Sequence, residues 1–322
     1  MTKDDVLTLL WEAPGRYLSG QELAGRLGVS RAAVWKAVEQ LRDEGHRIES
    51  APRRGYLLSP EGDALSAAGV RRYLRHTGLS VTVEPQVTST NAILKALAEQ
   101  GAPEGTALVA ASQTEGRGRR GRSFFSPEDT GLYLSLLLRP KSDGFAPAAV
   151  TAMAAVAAAE AIEDLSGRPT GIKWVNDVLM EGKKVCGILT EAGMDWESGE
   201  VNYAVVGLGF NLFTPPGGFP GELHAVAGAA FDGLSVPSLR CRLAAAVLDG
   251  LLDGYARLGD HRCWEAYRAR SVAPGRPVRI LLPGREPEPA TALDVEEDFS
   301  LSVRLTDGTV KRLSAGEISI RL

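Results

Sequence analysis

The spacing of apolar residues changes along the chain, and each change marks a part of it. Val6, Leu7, Leu9 and Leu10 recur at helical spacing and predict a first amphipathic helix. Ser19, with Glu22 three residues later, is a capping box that opens a second helix carrying Leu23 and Leu27. Gly28 makes the turn, and Ser30 caps a third helix with Val34, Ala37, Val38 and Leu41 on one face. Helix, short glycine turn and helix in that order is the helix-turn-helix layout. Gly45 ends the third helix. Residues 47–50 and 56–58 flank Pro52-Arg53-Arg54-Gly55 and predict a hairpin, so residues 1 to about 58 read as a winged helix-turn-helix.

Residues 59–68 are a polar connector, followed by a short helix at 70–74 and a strand at 79–83. Val87-Thr88-Ser89-Thr90-Asn91 opens a helix that runs to Gln100. A strand at 106–111 leads into Gly116-Arg117-Gly118-Arg119-Arg120-Gly121-Arg122. Leu132, Leu134, Leu136 and Leu138 then alternate with Tyr133, Ser135, Leu137 and Arg139, the period of a strand. Residues 146–165 are an Ala-rich helix with Pro147 in its first turn. Residues 171–180 read as strand, and Glu181-Gly182 turns the chain into a further strand at 183–189. A strand at 202–207 ends in Gly207-Leu208-Gly209-Phe210-Asn211, where glycines permit close backbone approach. A Pro/Gly-rich loop at 214–221 precedes two helices, 239–258 and 263–270, expected on the surface. Short strands follow at 278–282, 290–295, 301–305 and 310–313, with Asp307-Gly308 as a hairpin turn, and the chain closes through Ser314-Ala315-Gly316-Glu317-Ile318.

Length and composition add bounds. A chain of 322 residues, 44% hydrophobic, builds two or three domains with proper cores. The net charge of −4 gives no global basic field, so any nucleic-acid contact must be local. Residues 1–58 hold nine basic and eight acidic side chains, a weak excess for a monomer on DNA and more plausible for a dimer. Within them Arg31, Ala32, Trp35 and Lys36 face outward on the third helix, with Arg53 and Arg54 on the wing, the arrangement that enters a major groove and touches phosphates. Cys186, Cys241 and Cys263 show neither a zinc spacing nor an even disulfide count, which fits a reducing, cytoplasmic setting. No apolar run reaches the ~18 residues of a membrane span, so no membrane partner is expected.

The chemistry concentrates in two stretches. Four arginines and three glycines in seven residues make a loop suited to an anion: glycine turns backbone N–H groups inward, and guanidinium forks match carboxylate or phosphate. Alternatively it is a solvated basic loop, although it sits between two core strands. Gly171-Ile172-Lys173-Trp174-Val175-Asn176-Asp177 sets charges among apolar strand residues, which is costly unless they are paired or used. Asp177 is suited to a Mg²⁺ shared with phosphate, and Lys184 to a carboxylate or phosphate; a structural Lys–Asp pair is the plainer reading. Ser89 and Thr90 are either helix caps or pocket donors. Cys186 reads as a buried structural thiol.

Residues 116–122, Lys173-Trp174-Val175-Asn176-Asp177, Ser89-Thr90-Asn91 and Gly207-Leu208-Gly209-Phe210-Asn211 together resemble the biotin–protein ligase family. With the winged helix in front, the whole chain is similar to its bifunctional members, the biotin operon repressor/ligases. Val175 stands where that family usually has Pro, and Phe124 where it often has Trp. The resemblance implies an α+β protein in three domains: 1–62, a winged helix-turn-helix; 63–271, a central α/β ligase domain with a mixed sheet; 272–322, a small SH3-like β-barrel. It implies two steps. Biotin and Mg·ATP form biotinyl-5′-AMP, and a lysine of a biotin carboxyl carrier protein then takes the biotin. It places biotin on Ser89, Thr90, Asn91, Gln113, Gly116, Arg117, Arg119, Lys184, Gly187 and Gly209. ATP and its phosphates fall to Arg119, Arg120, Arg122, Phe124, Asn176, Asp177 and Asn211, the metal to Asp177, and catalysis to Lys184 and Arg119. It further implies operator DNA bound through residues 19–56, and a homodimer once the adenylate is bound. Three alternatives stay open: a lipoate or octanoate ligase of the same fold, a non-enzymatic regulator, and a ligase whose winged helix does not regulate.

Overall fold

The computed structural model describes residues 3–59, 62–140, 146–194, 200–258, 260–281, 286–314 and 317–320. Pro60 and Glu61 of the expected connector, Leu282 of the first expected C-terminal strand, and Ala315 and Gly316 lie outside the described residues. The chain packs as two compact units, Met1–Thr77 with Ser235–Ala245, and Gly78–Leu234 with Ala246–Leu322.

In the first unit, α1 (Lys3–Trp11), α2 (Gly20–Leu27) and α3 (Arg31–Asp43) enclose a core of Val6, Leu7, Leu10, Leu23, Val34, Val38 and Leu41. The caps fall where the sequence puts them. Ser19 Oγ accepts from Glu22 N and Ser30 Oγ from Ala33 N, while Gly28 takes the left-handed conformation (φ 67°) that ends α2. β1 (Ile48–Ala51) and β2 (Gly55–Leu58) pair antiparallel as the wing. α4 (Ala67–Tyr73) follows, capped by Ser66.

The second unit is built on a seven-stranded mixed sheet. β3 (Ser80–Val87) and β4 (Thr106–Gln113) are parallel, joined through α5 (Thr90–Glu99). β5 (Gly131–Leu138) runs antiparallel to β4. α6 (Pro147–Ser166) then leads to β6 (Gly171–Lys173), β7 (Asp177–Met180), β8 (Lys183–Met194) and β9 (Val201–Asn211). The spatial order is β3-β4-β5-β9-β8-β7-β6, antiparallel from β4 onward. A short α7 (Leu223–Val226) precedes α8 (Leu239–Tyr255) and α9 (His261–Arg270). The last sheet is wholly antiparallel: β10 (Pro277–Leu281), β11 (Glu288–Val295), β12 (Leu301–Leu305), β13 (Val310–Leu313) and β14 (Glu317–Ile320), in the order β13-β12-β11-β10-β14. Trp174 Nε1 donates to Phe299 O at 2.8 Å, fastening the β6–β7 turn to this sheet.

β5 forms where the alternation predicts a strand, and all eight of its residues are buried, because it sits mid-sheet and is covered on both faces. Three expectations change. Gly207–Asn211 does not leave the sheet; β9 continues through it, paired to β5 and β8. α8 is not a surface helix: Leu243, Ala244, Val247, Leu248 and Leu251 are fully buried, and Gly250 and Gly254 let it approach Ala157 and Met153 of α6. The C-terminal segment has a fifth strand, β14, beside β10.

Candidate functional site

The C-terminal end of β4, the start of α5, the arginine loop and the paired strands β8 and β9 surround one cavity. Its walls hold Ser89, Thr90, Asn91, Gln113, Arg117, Arg119, Phe124, Asn176, Lys184, Gly187 and Gly209.

One end is polar and fully cross-linked. Ser89 caps α5, its Oγ accepting from Ala92 N at 3.4 Å. Thr90 donates from both N and Oγ1 to Gln113 Oε1 (2.9 and 3.2 Å), and Gln113 Nε2 donates to Ser126 Oγ at 3.1 Å. Beneath them Ser135 Oγ lies 2.7 Å from Thr90 Oγ1 and 2.6 Å from Asn91 Oδ1. Asn91 Nδ2 donates to Leu189 O and to the Glu191 carboxylate, which also accepts from Lys95. Burial alone would raise the Glu191 carboxyl, but the hydrogen bonds from Lys95 and Asn91 outweigh it and hold that carboxyl below its ordinary range. A Cβ on Gly207 would lie 1.9 Å from Asn91 Oδ1, so this glycine is what lets the amide reach the sheet. Asn91 is therefore in the wall, but its amide is spent on the scaffold behind it.

The other end is cationic. Lys184 Nζ stands 2.6 Å from Asp177 Oδ1 and 5.6 Å from the centre of the Phe124 ring. Arg119 Nη1 donates to Asn176 Oδ1 at 3.0 Å, and Asn176 Nδ2 to Ile188 O at 2.9 Å. Between the two ends lies Phe124. Its ring covers Gly187 and Gly209, which are opposite one another on β8 and β9; a Cβ on either would come within 3.0 or 2.7 Å of the ring. The two glycines make room for an aromatic face.

The arginine loop is a closed turn: Gly118 N donates to Arg122 O, and Phe124 N to Gly116 O. Arg120 has a left-handed backbone (φ 57°) and its Nη1 donates to Leu281 O. Gly116, Arg120, Arg122, Asp177 and Asn211 do not line the cavity. A Cβ on Gly116 would meet Phe124 O at 2.4 Å, so that glycine closes the loop, and Asn211 Nδ2 holds Lys184 O. Asp177 reaches the site only through Lys184. Among the described residues no cluster of three or more His, Cys, Asp or Glu side chains is gathered for a metal. A single carboxylate fits Mg²⁺ when phosphate oxygens and water complete the shell. Cys186 is fully buried, and burial pushes its thiol far up, so it stays protonated and inert.

Ser126, Ser135 and Leu189 belong to the site and escape a motif reading. Ser135 leaves a trace, as one hydroxyl inside an otherwise apolar run.

In the first unit Arg31, Ala32, Trp35 and Lys36 are exposed along one face of α3, Trp35 to 57%. Arg53 and Arg54 are exposed on the wing, Arg54 stacked 4.1 Å over the Tyr17 ring. No helix among the described residues is long and apolar enough to cross a membrane.

Comparison with known proteins covers both units. Residues 83–211 match the biotin/lipoate A/B protein ligase family, and residues 2–57 match an HTH domain. The bifunctional ligase/repressor BirA of Bacillus subtilis (strain 168) is 40% identical over 227 residues, 70% of this chain and 69% of that protein. The protein of the same name from Escherichia coli (strain K12) is 35% identical over 201 residues, 62% of this chain and 61% of its own. Among solved structures, the biotin protein ligase from Aquifex aeolicus in complex with biotin and ATP superposes with a TM-score of 0.63 at 26% identity, covering 75% of this chain and 98% of that one.

Proposed function

For this chain, which belongs to the biotin/lipoate A/B protein ligase family and within it to the bifunctional ligase/repressors, we propose biotin–protein ligation joined to biotin-responsive repression. The observation that carries the enzymatic half is the cavity with unlike ends, polar and cross-linked at Ser89, Thr90 and Gln113, cationic at Arg119 and Lys184. A ureido ring offers donors and an acceptor, and a carboxylate offers charge; biotin carries both, at opposite ends.

In the first step a carboxylate oxygen of biotin attacks the α-phosphorus of ATP, the bond to pyrophosphate breaks, and biotinyl-5′-AMP forms. Both reactants are anions, so the barrier contains their repulsion, which fixed cations lower. Lys184 bridges the biotin carboxylate and the α-phosphate, while Arg119, Arg120 and Arg122 hold phosphates and Phe124 stacks on adenine. Asn176 completes the nucleotide subsite, and Asp177 and Asn211 support it by holding the Lys184 ammonium and carbonyl. Asp177 would hold Mg²⁺, which would supply neutralising charge. Asn91 and Gly116 with the Arg117 backbone frame the biotin ring, and Gly187 and Gly209 keep the floor flat. In the second step a lysine amine of a biotin carboxyl carrier protein attacks the acyl carbon and AMP leaves.

Residues 1–62 bind operator DNA through residues 19–56, with Arg31, Ala32, Trp35 and Lys36 in the major groove and Arg53 and Arg54 on phosphates. Residues 63–271 carry the chemistry, and residues 272–322 form an SH3-like barrel. The active repressor is a cytoplasmic homodimer of the adenylate-bound chain; sedimentation velocity with and without adenylate tests the dimer. The deciding experiment incubates the protein with Mg·ATP, a biotin-acceptor domain, and either biotin or lipoate, and reads the acceptor lysine by mass. Biotinylation is expected. Lipoylation alone, or no modification, refutes the assignment.

A further inference from the structure

The first unit contains a cavity of its own, of about 240 Å³, and none of its lining residues belongs to the site described above. That is many times the ~10–15 Å³ one water needs. Most of the wall is apolar or aromatic, including Leu10, Trp11, Leu58 and Tyr73. The charged groups among its lining residues are both cations, Arg47 and Arg72. The Arg72 guanidinium lies 5.1 Å from the centre of the Trp11 ring and 5.7 Å from that of Tyr73, stacked beside two aromatics with its N–H edge left for a planar acceptor.

The wall also carries an unmet polar atom. His46 is 7% exposed, and its Nε2 has no hydrogen-bond partner among the described residues. Its ring meets Trp11 edge-on at 6.2 Å, so imidazole and guanidinium both gather about one indole. An orphaned buried nitrogen costs about 1–3 kcal/mol, which a ligand oxygen would relieve. Two cations over an apolar wall suit a monoanion with a hydrocarbon body better than a heavily charged phosphate ester.

We propose that this cavity binds a small amphipathic carboxylate, its tail against Leu10, Trp11 and Leu58 and its carboxylate shared by Arg72 and His46. The ligand would touch α1, β2 and Cys241 together, three separate parts of the DNA-reading unit.

The test uses the full chain, saturated with biotin to occupy the ligase site, and sodium hexanoate as probe. The chain has four histidines, so the ¹⁵N-imidazole spectrum of histidine-labelled protein is readable, and His46→Phe assigns one signal. Hexanoate is expected to shift the His46 signal saturably and leave His224 and His261 unmoved, whereas hexylamine, with the same tail and opposite charge, is expected to do nothing. Losing one charge-assisted hydrogen bond in Arg72→Gln should weaken hexanoate roughly tenfold or more, with Arg72→Lys losing less. A His46 signal unmoved by hexanoate overturns the proposal. So does an equal response to hexylamine, an affinity unchanged in Arg72→Gln, or equal losses in Arg72→Gln and Arg72→Lys.

Discussion

Replacing Lys184 with Ala tests the electrostatic reading of the site. Its ammonium is 2.6 Å from Asp177 Oδ1, with the two side chains 30% and 21% exposed, so the pair is half-buried and partly screened. Breaking it should cost about 1 kcal/mol of stability, a fall in Tm of about 2–4 °C for a unit of this size. The effect on rate should be much larger. Removing one preorganised donor from a site where charge develops typically costs about 10²–10³-fold, ~3–4 kcal/mol. Biotin-dependent exchange of labelled pyrophosphate into ATP measures the first step alone, and a thermal melt measures the fold. A second variant separates the two roles. If Lys184 only neutralises Asp177, then Lys184→Ala with Asp177→Asn should recover exchange; if it acts on the reacting anions, exchange should stay low. Recovery in the double variant, or exchange in Lys184→Ala within about threefold of the parent (under ~0.7 kcal/mol of barrier), would refute the reasoning.

Further expectations follow from neighbouring contacts. Gly207→Ala drives a Cβ into the locked amide of Asn91, whereas Gly209→Ala meets the Phe124 ring; thermal melts should show the first as the more destabilising, and the second should chiefly raise the KM for ATP. Thr90→Val strips a hydroxyl from Gln113 and Ser135, so it should lose about 1–3 kcal/mol, shared between stability and biotin affinity by calorimetry. Burial pushes the His46 imidazole below its ordinary value, so the unfolded chain takes up a proton below about pH 6.5 that the folded unit refuses. Stability is then full above that pH and falls as pH drops toward the folded value; His46→Phe should out-melt the parent increasingly below it and lose that margin above. Arg53→Ala should weaken binding to the operator of the biotin genes about equally across sequences and lower the salt slope by about one, while Trp35→Ala should relax sequence preference; anisotropy titrations at several salt concentrations distinguish them.

The helix-turn-helix was legible because its information is local: Ser19, Gly28 and Ser30 each act within a few residues of where they stand. The arginine loop and Lys184 were legible because glycine clusters and interrupted apolar runs are themselves unusual. β5 was legible as a strand from its alternation, but its burial on both faces was not, because that depends on what packs against each side of the sheet. Gly207 and Gly209 looked like a strand end because their purpose, room for Asn91 and for Phe124, lies in side chains about a hundred residues away. The same distance hides Glu191, whose role exists only once β8 is laid beside the start of α5. What sequence conceals here is cross-strand partnership.

The two ends of the cavity are built differently, and the difference bears on how the enzyme separates recognition from chemistry. From Lys95 through Glu191, Asn91, Ser135, Thr90 and Gln113 to Ser126, each polar group binds another, so the geometry we propose for reading a ureido ring is held by the protein's own hydrogen bonds. Such preorganisation favours affinity, since little ordering remains to be done on binding. The cationic end could not be fixed in the same way without harm. Were every cation there matched by its own carboxylate, the attraction for two incoming anions would be lost. Arg119 donates to a neutral amide, Asn176, and Lys184 stands beside the Asp177 carboxylate. Substitutions at the first end should therefore change which ring is accepted, and those at the second how fast the adenylate forms.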